Sequence, residues 1–168
     1  LQAFLPGAGV AACFPWRLPR AAREAPRLGI LNIHPSLLPT GRGPEPVFWT
    51  LRRGERVTGV TVHQMDAGFD TGPIVVQETL PVPDGIRAGD LEDQLMAVGA
   101  RALSASLPGL ASGKVQPRPQ PAAGGTLAPL PTPEDWAISP LLPAAWAWRF
   151  ARGVALLGGP LRVVTSER

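Results

Sequence analysis

An apolar run at residues 29–34 carries Asn32 and His34 and is stopped at once by Pro35 and Pro39, which constrains the fold more than any other stretch. Proline fixes φ and removes a backbone donor, so the run reads as a short buried strand whose carboxyl end opens directly onto a loop. Residues 40–46, holding two glycines and two prolines, continue that loop. Side chains alternate across a strand, so Asn32 and His34 share one face and can act on one molecule.

The remaining pattern is that of an α/β chain. Residues 10–14 form a short apolar run closed by Pro15, read as a parallel strand, and residues 20–25 a brief helical turn before Pro26. Residues 47–53 have the spacing of a helix, with Val47, Phe48 and Leu51 on one face and Gly54 as its stop. Residues 58–65 and 73–80 read as a hairpin joined by the Asp/Gly-rich turn 66–72. A long amphipathic helix follows, with Asp90 as N-cap, an end near Leu110, and a stripe of Leu91, Leu95, Val98, Ala102 and Leu103. Residues 114–133, rich in Pro, Ala, Gly and Gln, have the composition of a linker. Beyond them, residues 136–138 and 161–165 read as short strands, and residues 143–157 place Trp146, Phe150 and Val154 at helical spacing.

Of the 168 residues, 45% are apolar, sufficient for one core and the start of a second domain. The 16 basic and 13 acidic side chains leave a mild positive excess carried, apart from Lys114, by scattered arginines. Without a dense basic cluster, a dedicated nucleic-acid-binding module has little support. Cys13 is the single cysteine, so an internal disulfide is excluded, no metal site of familiar spacing appears, and a reducing, cytoplasmic setting fits best. Residues 1–14 are apolar but lack a basic leader and contain Pro6, Gly7 and Gly9, unlike a signal peptide. The chain enters a buried-looking segment directly from Leu1, which suggests a missing N-terminal portion.

Asn32 and His34 suit acyl transfer: the amide is a neutral donor and acceptor, and imidazole exchanges a proton near neutral pH. Asp70, in the hairpin turn, can return across the sheet to orient His34 or move a proton. Each feature alone has an ordinary structural explanation. Asn-x-His pairs commonly bond a neighbouring loop, Asp66 and Asp70 suit turn formation, and Trp16, Phe48 and Trp49 suit a core as well as the wall of a flat-ring pocket. His63, within the 58–65 strand, reads as a surface or interface residue.

Taken together, Asn32-Ile-His-Pro-Ser-Leu-Leu-Pro39, Arg42-Gly-Pro44 and the segment from Thr58 through Val60-Thr-Val-His63 to Asp70-Thr-Gly72 resemble the folate-dependent formyltransferase family. Cys13-Phe-Pro-Trp-Arg-Leu-Pro19 resembles the family segment one strand earlier. The resemblance implies the C-terminal part of a Rossmann-like, mostly parallel α/β domain (1–113, incomplete at its N-terminus), a linker (114–133) and a partial C-terminal module (134–168). It implies 10-formyltetrahydrofolate as formyl donor, no metal, and Asn32, His34 and Asp70 as catalytic residues. It also puts the folate against Phe14, Trp16, Arg17, Leu18, Asp66 and Phe69. The implied acceptor is an amine, first the methionyl group of initiator tRNA, with a small amine such as a sugar nucleotide as the alternative. Glu134-Asp-Trp136 resembles the entry to a tRNA-contacting barrel, whereas Arg42-Gly-Pro-Glu-Pro46 departs from the Arg-Gly-Ala-Ala-Pro run of the tRNA-formylating branch. Hydrolysis of the formyl donor and a truncated, non-catalytic member are the other readings.

Overall fold

The strand ending on His34 is Ile30–His34 (β2) in the computed structural model, which describes residues 6–14, 16–121 and 123–164. The first part of the apolar N-terminus, the closing Pro15 and Thr165 of the last expected strand lie outside the described residues. Gly9–Ala12 (β1) pairs parallel with β2; Val57–Gln64 (β3) pairs antiparallel with β2, and Ile74–Pro81 (β4) antiparallel with β3. The four-stranded sheet, ordered β1-β2-β3-β4, is therefore mixed. Its parallel character belongs to β1–β2, where Arg20–Glu24 (α1) and its flanking loops form the long crossover that parallel strands require. The tight 66–72 turn leaves β3 and β4 only the antiparallel arrangement.

Between β2 and β3 the chain forms Pro46–Arg53 (α2), ended as expected by Gly54 at φ 68°. Ala88–Ala111 (α3) packs across β2, β3 and β4. It starts two residues before the expected N-cap. Arg87 takes that position without a side-chain cap, and Asp90 sits in the first turn, where its charge complements the helix dipole. Ala88, the first helical residue, is buried. The buried stripe is Ala88, Leu91, Leu95, Gly99, Leu103 and Leu110; Val98 and Ala102 are only half-buried. Gly99 replaces them because Ile33 and Val60 press directly on the helix backbone there, leaving no room for a Cβ.

The pairing register sorts the sheet residues by face. Ile33 opposes Val62 and, with Leu31 and Val60, joins the core under α3; Asn32 opposes His63 and His34 opposes Thr61 on the other face. That second face is covered by loops. Residues 35–43 lie over it, with Thr61 Oγ1 donating to Ser36 O at 2.6 Å and accepting from Leu38 N at 3.1 Å.

Residues 118–121 and 123–129, linker-like in composition, are fastened as a strap along both sides of this polar face. Arg118 and Ile74 exchange backbone hydrogen bonds of 2.9 and 2.8 Å; Arg42 N donates to Thr126 O at 3.0 Å, and Ala128 N to Arg42 O at 2.6 Å. Gly43, at φ 119°, must be glycine because a Cβ would lie 2.7 Å from the Ala128 carbonyl oxygen.

Pro133–Trp136 forms a 3₁₀ turn, so Trp136 precedes rather than begins the strand Ala137–Ile138 (β5). The reason is local: Pro133 opens the turn, and Asp135 Oδ2 accepts from Thr132 N (2.8 Å) and Thr132 Oγ1 (3.0 Å). β5 pairs parallel with Arg162–Val163 (β6), and Ala144–Val154 (α4) lies between them in sequence. α4 packs on α2. Trp136, Ile138, Phe150 and Val154 belong to the same buried cluster as Leu31 and Leu95, so one core serves both parts of the chain.

Candidate active site

β2 and β3 deliver four polar side chains to one face, and the turn after β3 brings a carboxylate over them. Asp66 makes the turn: its Oδ1 accepts from Gly68 N at 2.9 Å and from Thr71 Oγ1 at 2.6 Å, so its carboxylate is engaged locally. Four residues on, Asp70 takes a left-handed φ of 54°, uncommon for a residue with a Cβ and consistent with a constrained position. This geometry carries its carboxylate back across the sheet. Oδ1 lies 3.6 Å from His34 Nδ1, 3.6 Å from His63 Nε2 and 3.5 Å from Asn32 Nδ2, while Oδ2 accepts from Gly43 N at 2.9 Å. Asn32, His34 and Asp70 are thus brought together.

The hydrogen bonds define which atoms remain for chemistry. His34 Nε2 lies 2.8 Å from the Gly41 carbonyl and can only donate to it, so the neutral ring carries its proton there and leaves Nδ1 bare, facing Asp70. Burial holds the His34 imidazole below its ordinary value of 6.5; Asp70 and the Gly41 carbonyl oppose that effect, and His63 adds to it. For Asp70 burial acts upward, but the His63 and His34 rings and the Gly43 N–H together hold the carboxyl below its ordinary 3.8. At neutral pH the pair is a carboxylate beside a neutral imidazole. A proton arriving at Nδ1 would be stabilised directly by Asp70.

His63 is not a surface residue. Only 1% exposed, it stands opposite Asn32, where an extra residue in β4 shifts the register beside it. Its Nδ1 donates to the Gln64 carbonyl at 3.1 Å, and its Nε2 takes an N–H from Asn32 Nδ2 at 3.1 Å. This contact orients the Asn32 amide. The signal was present in the sequence, since Val60 and Val62 facing the core put Thr61 and His63 on the opposite side. Replacing His63 by Leu removes the acceptor, and turnover should fall by up to about 100-fold through misplacement of Asn32, with partial recovery in His63→Gln. Steady-state kinetics of both variants checks this; equal rates in wild type and His63→Leu would end the orienting role.

The expected folate-binding residues divide. Phe14 (44% exposed) and Trp16 (68% exposed) meet edge to face at 5.6 Å, and the Arg17 guanidinium lies over the Phe69 ring at 4.6 Å. Arg17 and Phe69 therefore join the two segments, and with Phe14 and Trp16 they form an exposed aromatic and cationic rim. Leu18 is half-buried and its carbonyl accepts from Arg23 Nε at 3.2 Å. Phe48 and Trp49 lie elsewhere: Phe48 is in the core, and Trp49 Nε1 donates to the Pro129 carbonyl at 2.8 Å. Among the described residues, no group of His, Cys, Asp and Glu is placed to hold a metal ion, and no helix is long and apolar enough to cross a membrane.

The chain is similar to methionyl-tRNA formyltransferase from Chloroflexus aggregans, with 43% identity over 90% of this chain and 49% of that protein. Against the C. aurantiacus enzyme of the same name, identity is 41% over 99% of this chain and 56% of that one. The chain thus spans about half the length of these curated relatives. Among solved structures it is similar to the formyltransferase PseJ from Anoxybacillus kamchatkensis in complex with a formamido-sugar nucleotide and tetrahydrofolate. That likeness has a TM-score of 0.63 and 26% identity over 72% of this chain and 63% of that one. The match to a family model described as formyl transferase covers residues 1–107, the stretch that supplies the Asn32, His34 and Asp70 cluster, and the chain belongs to that family.

Proposed function

We propose that the protein transfers the formyl group of 10-formyltetrahydrofolate to an amine, most closely the amino group of methionyl-tRNA. The observation that carries this reading is the ionised Asp70 beside the bare Nδ1 of a neutral His34, with the Asn32 amide on the same carboxylate. In the reaction the amine nitrogen attacks the formyl carbon and the carbonyl oxygen becomes an oxyanion. Asn32 Nδ2 is 3.5 Å from Asp70, at the outer limit of a hydrogen bond, so that N–H is free to turn onto the oxyanion. His34 Nδ1 accepts the proton leaving the amine. The resulting imidazolium, held by Asp70, also stabilises the oxyanion and returns the proton to the folate nitrogen as the carbon–nitrogen bond breaks. The products are the formamide and tetrahydrofolate.

The exposed rim of Phe14, Trp16, Arg17 and Phe69 supports a flat heteroaromatic donor, which would stack on the rings while Arg17 meets its anionic tail. The names of the Chloroflexus relatives support methionyl-tRNA as acceptor, and the PseJ complex supports a sugar-nucleotide amine as the alternative. The deciding assay mixes the protein with 10-formyltetrahydrofolate and follows tetrahydrofolate release alone, with charged initiator tRNA, and with an amino-sugar nucleotide. Release that depends on the tRNA is the expected result. Dependence on the sugar reassigns the acceptor, release in water alone makes the protein a hydrolase, and no release under any condition removes the reading.

A further inference from the structure

We propose that Gln120, on the strap, is a positioning residue that holds Asp70 in reach of His34. The inference rests on the reading of Asp70 as part of the formyl-transfer site. Gln120 Nε2 donates to the Asp70 carbonyl and to the Gly72 carbonyl, each at 2.8 Å; its Oε1 accepts from Arg42 Nε at 3.1 Å and Arg42 Nη2 at 2.6 Å. Both donors and both acceptor sites of the amide are therefore filled. The orientation is unambiguous, because the flipped amide would set oxygen against two carbonyls and N–H groups against a guanidinium. Gln116, four residues earlier, bonds among the described residues the Gly113 carbonyl, at 2.8 Å. Saturation is a property of position 120, not of the segment's composition.

The consequence falls on Asp70. Its left-handed backbone is held from one side by Gln120 and its carboxylate from the other by Gly43 N at 2.9 Å. Gly43 in turn lies against Ala128 of the same strap, and Arg42 is bound to the strap by both backbone and side chain. Gln120, Thr126 and Ala128 of the strap thus fix the two flanks whose separation sets the distance from Asp70 to His34. Removing the two N–H donors frees residues 70–72 to relax from the strained φ, and the carboxylate withdraws from His34.

The test compares wild type, Gln120→Ala, Gln120→Glu and Asp70→Asn by two readouts: steady-state formyl transfer, and the titration midpoint of the His34 imidazole by NMR. Gln120→Glu keeps an acceptor for Arg42 but offers oxygen, not N–H, to the two carbonyls. If Gln120 positions Asp70, both Gln120 variants lower kcat by about 10- to 100-fold with KM for the formyl donor unchanged. Both also move the His34 midpoint downward toward that of Asp70→Asn, as withdrawal of the carboxylate requires. Wild-type kcat and midpoint in Gln120→Glu overturn the proposal, and impairment confined to Gln120→Ala would assign the residue to Arg42 instead. If the wild type transfers no formyl group, the functional reading fails while the midpoints still decide the placement of Asp70.

Discussion

Replacing Asp70 by Asn should lower formyl turnover by about 10²- to 10⁴-fold, the range over which a positioned acid–base group contributes. The substitution keeps the shape and the capacity to accept from Gly43, but removes the negative charge 3.6 Å from His34 Nδ1. That charge is the main influence raising the affinity of His34 for a proton against burial. Its loss must therefore move the His34 midpoint, already below 6.5, further down, and the imidazolium that the proposed reaction needs becomes harder to form. His34→Ala removes the base itself and should fall at least as far. An NMR titration of His34 beside the rate measurement checks both halves: near-normal turnover with an unmoved midpoint would sink the assignment of this pair.

The same two groups set a direction for stability. His34 binds its proton less readily folded than unfolded, so as pH falls below 6.5 the unfolded chain takes up a proton first and stability declines. Asp70, held below 3.8, stabilises the fold at higher pH and loses that contribution as pH falls through its lowered value. Both groups make the folded state more sensitive to acid than to mild base.

What the sequence disclosed follows the range of the interactions involved. The β2 strand and its proline stop, the α2 helix with Gly54 behind it, and the β3–β4 hairpin are set by local periodicity and turn chemistry, and they emerged within a residue or two of their expected bounds. The hairpin turn left Asp70 able to return across the sheet, but the joint role of Asn32, His34 and Asp70 came from motif resemblance, since nothing local requires residue 70 to reach residue 34. His63 was missed because its neighbour across the sheet, Asn32, is 31 positions away, and register is visible only once β2 and β3 are known to pair. The strap was illegible for a different reason. Arg118, Thr126 and Ala128 are held by backbone hydrogen bonds, with Gln120 bonding through its side chain, and neither leaves an apolar period in the sequence. Gly99 shows the converse: a residue that breaks the apolar stripe marks the place where helix and sheet approach most closely.

The largest effect on stability should come from the C-terminal helix, not from the sheet. Phe150 is fully buried, its ring stacked on Trp146 at 5.2 Å and edge-on to Phe48 at 5.7 Å, with the Arg52 guanidinium 5.1 Å from its centroid. Phe48 belongs to α2 and also meets Trp136 at 5.0 Å, so one aromatic cluster ties α4, the 3₁₀ turn and α2 into the common core. Phe150→Ala empties the centre of that cluster, where rigid rings cannot collapse to refill the space, and should cost about 3–5 kcal/mol. Leu141→Ala, at a residue 93% exposed, should stay within about 0.5 kcal/mol. Urea unfolding of the two variants beside wild type measures the contrast. A Phe150→Ala variant as stable as Leu141→Ala would mean that the C-terminal segment merely rests on α2; the expected loss would mean that it supports α2, which follows directly on the loop carrying Gly41 and Gly43 to His34 and Asp70.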